Sequence, residues 1–187
     1  MSCPLPIVIV PDGLAYDPIR KIALPQPSFV YRAVLDMVKR DLPRRTLYLA
    51  PANNFGTDCY EQEAAAAYLR DYQGKVITVP SSGNAYIDTR GNAAQLRSYA
   101  EALNLWPFGP IMLVSGQRHL RRSILCFRKE GFDIEAVLGG SYAIPADEAI
   151  VPRLWYYRIP LWHQLYEHLA FLRDLVRLAT TKGYTTW

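Results

Sequence analysis

The chain has 187 residues, half of them hydrophobic and 20% charged, with a net charge of +4 and a pI of about 9.0. This length suits one core, the composition excludes a disordered chain, and the mild positive balance admits acidic ligands without calling for nucleic acid. Cys3, Cys59 and Cys126 are far apart with no CxxC, so they read as reduced thiols and not as a disulfide framework or a zinc site.

MSCPLPIVIVPDG at the N-terminus carries no charged leader, and its apolar run is far too short for a signal peptide or a membrane span. A cytoplasmic, non-spanning protein is expected. Leu5 to Val10, rich in β-branched residues, reads as a first strand buried on both faces. The Pro-rich stretch from Pro11 to Pro27 reads as a long loop, of a length that often carries function. A helix over Ser28 to Arg40 follows, then a strand over Thr46 to Ala50, a helix over Cys59 to Asp71 and a strand over Lys75 to Val79.

Thr89 to Leu103 is a third helix, with Ala93, Leu96, Ala100 and Leu103 on one stripe. Pro110 to Ser115 is the fourth strand, Gln117 to Glu130 the fourth helix and Phe132 to Leu138 the fifth strand. Residues 139–160, with paired glycines, prolines and Trp155-Tyr156-Tyr157, read as a candidate lid. A last amphipathic helix, about Leu161 to Ala179, carries Leu161, Leu165, Leu169, Leu172 and Val176 on one face, which should close on the domain. Alternating strands and helices without a repeat or dividing linker predict one α/β domain over residues 1–187: a Rossmann-like three-layer sandwich with a mostly parallel five-stranded sheet.

Ligands of such sheets bind beyond the carboxyl ends of the strands. Four segments fall there: Asp12-Gly13, Asn53-Asn54, residues 80–90 and Ser115-Gly116-Gln117-Arg118-His119. In VSGQRHLRRS a strand runs straight into a helix, whose first turns carry Arg118, His119, Arg121 and Arg122. Cations there oppose the helix dipole, which points to a bound anion or to an acidic neighbour from elsewhere in the chain. The plainer alternative is a solvated basic face.

Arg118 and Arg122 are therefore candidates to hold a phosphate or carboxylate, and His119 to transfer a proton. At the third helix, Asp88 or Thr89 is a natural N-cap, and Asp88, Thr89, Arg90 and Asn92 crowd one junction. A Ser115, His119 and Asp88 triad rests on no recognised spacing. No GxGxxG, GxxxxGK[ST] or GxSxG appears, and His163 and His168 lie on different sides of a helix without a supporting metal cluster.

Several pieces stand in the order of a known family: Glu63-Ala64, then Thr89-Arg90-Gly91-Asn92-Ala93, then Ser115 with His119 and Arg122, then Lys129-Glu130-Gly131-Phe132. From about Ile7 to Val137 the chain resembles the bacterial YdcF/SanA/ElyC-like domain of unknown function, as a divergent member. Gly91 stands where that family usually has Glu, Ala50-Pro51 replaces a Ser-Gly-Gly turn, and Ser123 replaces Ala. Gly83 and Tyr86 replace an upstream acid and serine.

The resemblance implies a Rossmann-like fold, S-adenosylmethionine binding for some relatives and a part in envelope or lipid-carrier metabolism for others. The combined expectation is an anionic, nucleotide-like ligand, with S-adenosylmethionine a candidate cofactor and no metal. Its site takes His119 and Asp88 as catalytic candidates, and Asp12, Gly13, Asn53, Asn54, Glu63, Thr89, Arg90, Asn92, Ser115, Gln117, Arg118 and Arg122 around the ligand. Transferase or hydrolase chemistry fits these groups. The competing reading is a non-catalytic regulatory or partner-docking module linked to envelope metabolism. A third is membrane-surface attachment through the last helix, while nucleic-acid binding is not expected.

Overall fold

The computed structural model describes residues 4–82, 86–142, 151–152 and 155–180. Its main sheet holds β1 (Ile7–Ile9), β4 (Thr46–Leu49), β5 (Lys75–Thr78), β6 (Pro110–Gly116) and β7 (Asp133–Gly140), all parallel, in the order β5-β4-β1-β6-β7. Each expected strand is present. The expected Rossmann-like α/β sandwich is formed.

Alternation along β1 explains the layers. Ile7 and Ile9 pack with Tyr31, Val34, Leu35 and Val38 of α1 (Phe29–Asp41) and with Ala65 of α2 (Glu61–Tyr68). Val8 and Val10 face the other way, towards Ala93 and Leu96 of α3 (Thr89–Ala102) and Phe127 of α4 (Leu120–Lys129). Ser28 caps α1 and Asp88 caps α3, each through its side chain. Because β4 lies on one side of β1 and β6 on the other, the chain turns in opposite directions on leaving the central strand. That switch point opens the crevice in which open α/β sheets hold ligands.

Two expectations change. The stretch from Pro11 to Pro27 is not a plain loop: it forms an antiparallel hairpin, β2 (Leu14–Asp17) and β3 (Ile22–Pro27), whose β2 also pairs with β8 (Val151–Pro152). Asp17 Oδ1 accepts from the backbone N–H groups of Ile19 and Arg20 and ties the turn. Pro25 and Pro27 fit because β3 is the edge of this small sheet, where a missing N–H costs no ladder bond. Of the candidate lid over 139–160, residues 143–150, 153 and 154 lie outside the described residues, and the rest includes the end of β7, β8 and the 3-10 helix Trp155–Arg158.

The second change is the last helix, α5 (Pro160–Thr180), which packs on α4 and on the short 3-10 helix Trp155–Arg158. Its apolar stripe does not turn inward. Leu161 is 75% exposed and Leu169 57%, while His163, Glu167, Ala170 and Asp174 are the buried residues. The inward face is polar because it meets the charged groups of α4, as shown below. Among the described residues no helix is long and apolar enough to cross a membrane. Cys59 and Cys126 are free thiols, and Cys3 lies outside the described residues.

Candidate functional site

A pocket of about 300 Å³ opens at the switch point. Asp12 and Gly13 enter it from the end of β1, Asn53 from the end of β4, Ile87, Asp88, Thr89 and Asn92 from the β5–α3 junction, and His119 and Arg122 from α4. Of the residues singled out in sequence, Asp12, Gly13, Asn53, Asp88, Thr89, Asn92, His119 and Arg122 are thus brought together.

Six are not. Glu63 is exposed and accepts from the Tyr60 N–H at 2.9 Å, closing a capping box on α2. Arg90 reaches away to Glu130 at 3.5 Å, and Asn54 holds its own turn through the Gly56 N–H. Ser115 is fully buried under the strand end, with Ser123 Oγ at 3.5 Å, so it is out of reach for the imagined triad. Arg118 donates to the Tyr142 hydroxyl at 2.6 Å and lies over its ring. Gln117 sits in a turn whose N–H donates to Gly140, because α4 starts only at Leu120 and not directly after the strand.

The acid that matters on α2 is Glu61, two residues before the one the family pattern suggested. Its carboxylate accepts from Gly13 N–H at 2.7 Å and Asn53 N–H at 3.3 Å, which binds the β1 and β4 loops together. Burial pushes its pKa up to about 7 against those two hydrogen bonds. Gly13 has φ +93°, a left-handed conformation that a side chain would strain, and that conformation aims its N–H at Glu61.

Asp12 is 4% exposed, and neither carboxylate oxygen has a hydrogen bond of normal geometry, although the Tyr157 hydroxyl lies beside it. Burial raises its pKa to about 6, with His119 and Arg122 pulling down and Glu167 pushing up.

Two of the asparagines are staples more than ligand groups. Asn53 Nδ2 donates to Ile87 C=O and Asn53 Oδ1 accepts from Ile87 N–H, both at 2.7 Å. Asn92 donates to Pro51 C=O. Asp88 spends Oδ1 on the Gly91 N–H at 2.9 Å, as a cap should. These bonds fix the loops and leave the ionisable groups to face the pocket.

Glu167 of α5 is the acidic neighbour that lets cations stand at the start of α4. It accepts from Arg122 Nε at 2.8 Å and Nη2 at 3.0 Å, a two-point pair buried on both sides. Burial alone would raise the Glu167 pKa, but His119 and Arg122 hold it well below the carboxylate range. Arg122 Nη2 also meets His119 Nδ1 at 3.0 Å, and Nη1 donates to Thr89 Oγ1 at 2.6 Å. His119 Nδ1 stands between a donor, Arg122 Nη2, and an acceptor, Glu167 Oε1 at 3.3 Å, while Nε2 faces Thr89 Oγ1 at 3.3 Å. Thr89 Oγ1 accepts from Arg122, and its hydroxyl stands between the His119 ring and the pocket.

Of Arg122's five N–H bonds, these contacts use all but one, so it cannot offer a free two-point fork to a phosphate. Sequence reasoning missed Glu61, Glu167, Phe55 and Tyr166. Glu167 lies 45 residues from Arg122, beyond any spacing rule.

Comparison with protein-family models, with curated proteins and with solved structures gave no match.

Proposed function

We propose that this chain is a small-molecule enzyme of the transferase or hydrolase kind, with a nucleotide-like metabolite in the pocket at the carboxyl ends of the strands. The observation that carries the reading is the convergence of Asp12, Glu61, Thr89, His119 and Arg122, from four separate segments, on one cavity of about 300 Å³. That volume is at the lower end of ligand sites, and titratable groups shifted towards neutrality are the ones that acid–base catalysis needs.

The Thr89, Arg122 and His119 wall would receive an oxygen-rich or anionic part of the ligand at the Thr89 hydroxyl, with the Arg122 charge behind it. Asp12 would act as the general base, since it is buried, lacks a regular hydrogen bond and can be ionised at neutral pH. His119 would place Thr89 and exchange a proton through Nε2. The resemblance to the YdcF-like family, carried by Thr89, Asn92, His119 and Arg122, supports S-adenosylmethionine as one compound to try.

Thermal unfolding with S-adenosylmethionine, S-adenosylhomocysteine, nucleotides and sugar phosphates tests the reading on the wild type and Thr89→Val. A native-state ligand at a hundred times its Kd adds about 2.7 kcal/mol, or roughly 5–10 °C at this chain length. A shift in the wild type that Thr89→Val loses, with turnover abolished by Asp12→Asn, is the expected result. A ligand that binds but is never consumed would make this a regulatory module. No shift with any compound would remove the pocket from consideration.

A further inference from the structure

The lining of the pocket has a second character beside its acid–base groups. Phe55, Tyr86, Tyr157 and Tyr166 place four aromatic rings around the cavity that also holds Asp12 and Glu61. Aromatic rings with carboxylates among them are the chemistry that recognises ammonium groups, because the ring faces and the carboxylates both present negative charge to a weakly hydrated cation.

The surrounding charge points the same way. Asp88 also lines the cavity, and Glu167 and Asp174 stand behind Arg122, at 2.8 and 3.8 Å. Asp174 is matched by Arg173 at 2.7 Å and Glu167 by Arg122, which leaves Asp12, Glu61 and Asp88 as the carboxylates on the cavity wall itself. Asp12 gives the independent sign. It is a carboxylate buried to more than nine-tenths, facing the cavity without a hydrogen bond of normal geometry. A buried anion is costly, and here His119, Arg122 and the Tyr157 hydroxyl offset only part of that cost, so a further cation beside it is favourable. Among the described residues no group of three or more His, Cys, Asp or Glu side chains is placed to hold a metal ion.

We infer that the Asp12 and Glu61 end of the pocket is a subsite for an organic ammonium group, held between those carboxylates and the rings of Phe55, Tyr86, Tyr157 and Tyr166. This rests on the pocket being the ligand site and gives the ligand its class. It carries a cation at one end and hydrogen-bond acceptors at the other, the latter against Thr89 and Arg122.

The groups that face Asp12 are His119 and Arg122 from α4, Glu167 from α5, Glu61 from α2, Tyr31 from α1, and Tyr142 and Tyr157. Between pH 5 and 8, Asp12 and Glu61 become ionised, so cation affinity rises with pH. An Asp12→Asn variant separates the part of that rise owed to Asp12 from the part owed to Glu61.

The experiment is calorimetric titration of the full chain with choline, with its uncharged isostere 3,3-dimethylbutanol and with inorganic phosphate, at pH 5 and pH 8. Choline is expected to bind at least about tenfold more tightly than the isostere at pH 8, and about tenfold more weakly at pH 5. Asp12→Asn should abolish the preference. If that variant does not fold, the pH dependence of the wild type stands in for it.

Equal affinity for choline and the isostere overturns the inference. So does binding of phosphate without choline, or no binding of any of the three. The two proposals fail separately. A nucleotide-like compound that binds when choline does not leaves the pocket and removes the cation subsite. Choline binding without any response to the nucleotide-like panel does the reverse.

Discussion

A Cβ at position 116 would come within 2.3 Å of Asp12 Oδ2, so β6 has to end in glycine for the carboxylate to sit where it does. Holding it there costs stability. A pKa raised from 3.8 to about 6 corresponds to roughly 3 kcal/mol of preference for the protonated form. For an acid shifted upward, the folded state carries no penalty below the unfolded value near 3.8 and the full penalty above about 6. Glu61 adds a similar burden up to about 7, whereas His163 runs opposite. Burial lowers its pKa from 6.5 to about 4, so the stability of its neutral form is complete above 6.5 and is lost as the pH falls towards 4. The wild-type profile is therefore flattened by opposing groups, and the difference between variants is the sharper observable. Asp12→Asn should gain on the wild type by about 3 kcal/mol between pH 4 and pH 8 in urea unfolding, with most of the gain between pH 4 and 6. A difference that does not vary with pH would mean that this carboxyl is well solvated.

At the level of elements, much of this fold was legible. The apolar runs gave all five parallel strands, and Ser28 and Asp88 gave helix starts, because β-branched runs and capping residues act locally. The hairpin was hidden by Pro11, Pro18, Pro25 and Pro27, which look like loop residues until an edge strand is allowed for. For α5, periodicity located two faces correctly but not which of them turns inward. That choice depends on Glu167 meeting Arg122, a contact between distant segments. The same pair locks α5 to α4. Removing one partner leaves a buried charge without its counter-ion, so Glu167→Ala should cost about 3–5 kcal/mol. The double variant Arg122→Met with Glu167→Leu should recover much of that loss, since an apolar pair of similar volume avoids desolvation altogether. A double-mutant cycle by denaturant unfolding would show the coupling, and a small Glu167→Ala effect would show that water reaches this pair.

For the whole molecule, the consequence is an unequal division of stabilising area. The sheet faces hold fully buried side chains such as Leu47, Leu96 and Leu113, whereas α5 joins the rest through polar and charged residues. Its leucines therefore remove little apolar surface from water, at about 25 cal/mol per Å² for whatever they cover. Leu96→Ala should destabilise by about 2–5 kcal/mol through lost transfer energy and a cavity. Leu169→Glu, at a side chain 57% exposed, should change stability by no more than about 0.5 kcal/mol. The usual amphipathic arrangement of a terminal helix predicts the opposite ranking for a leucine on its apolar stripe, so the comparison discriminates cleanly. Both variants can be followed by the same chemical denaturation curve at low and high protein concentration. If Leu169→Glu proves costly at every concentration, the stripe is covered within one chain. If the cost grows with protein concentration, it is covered by a second copy, because only association makes stability depend on mass action.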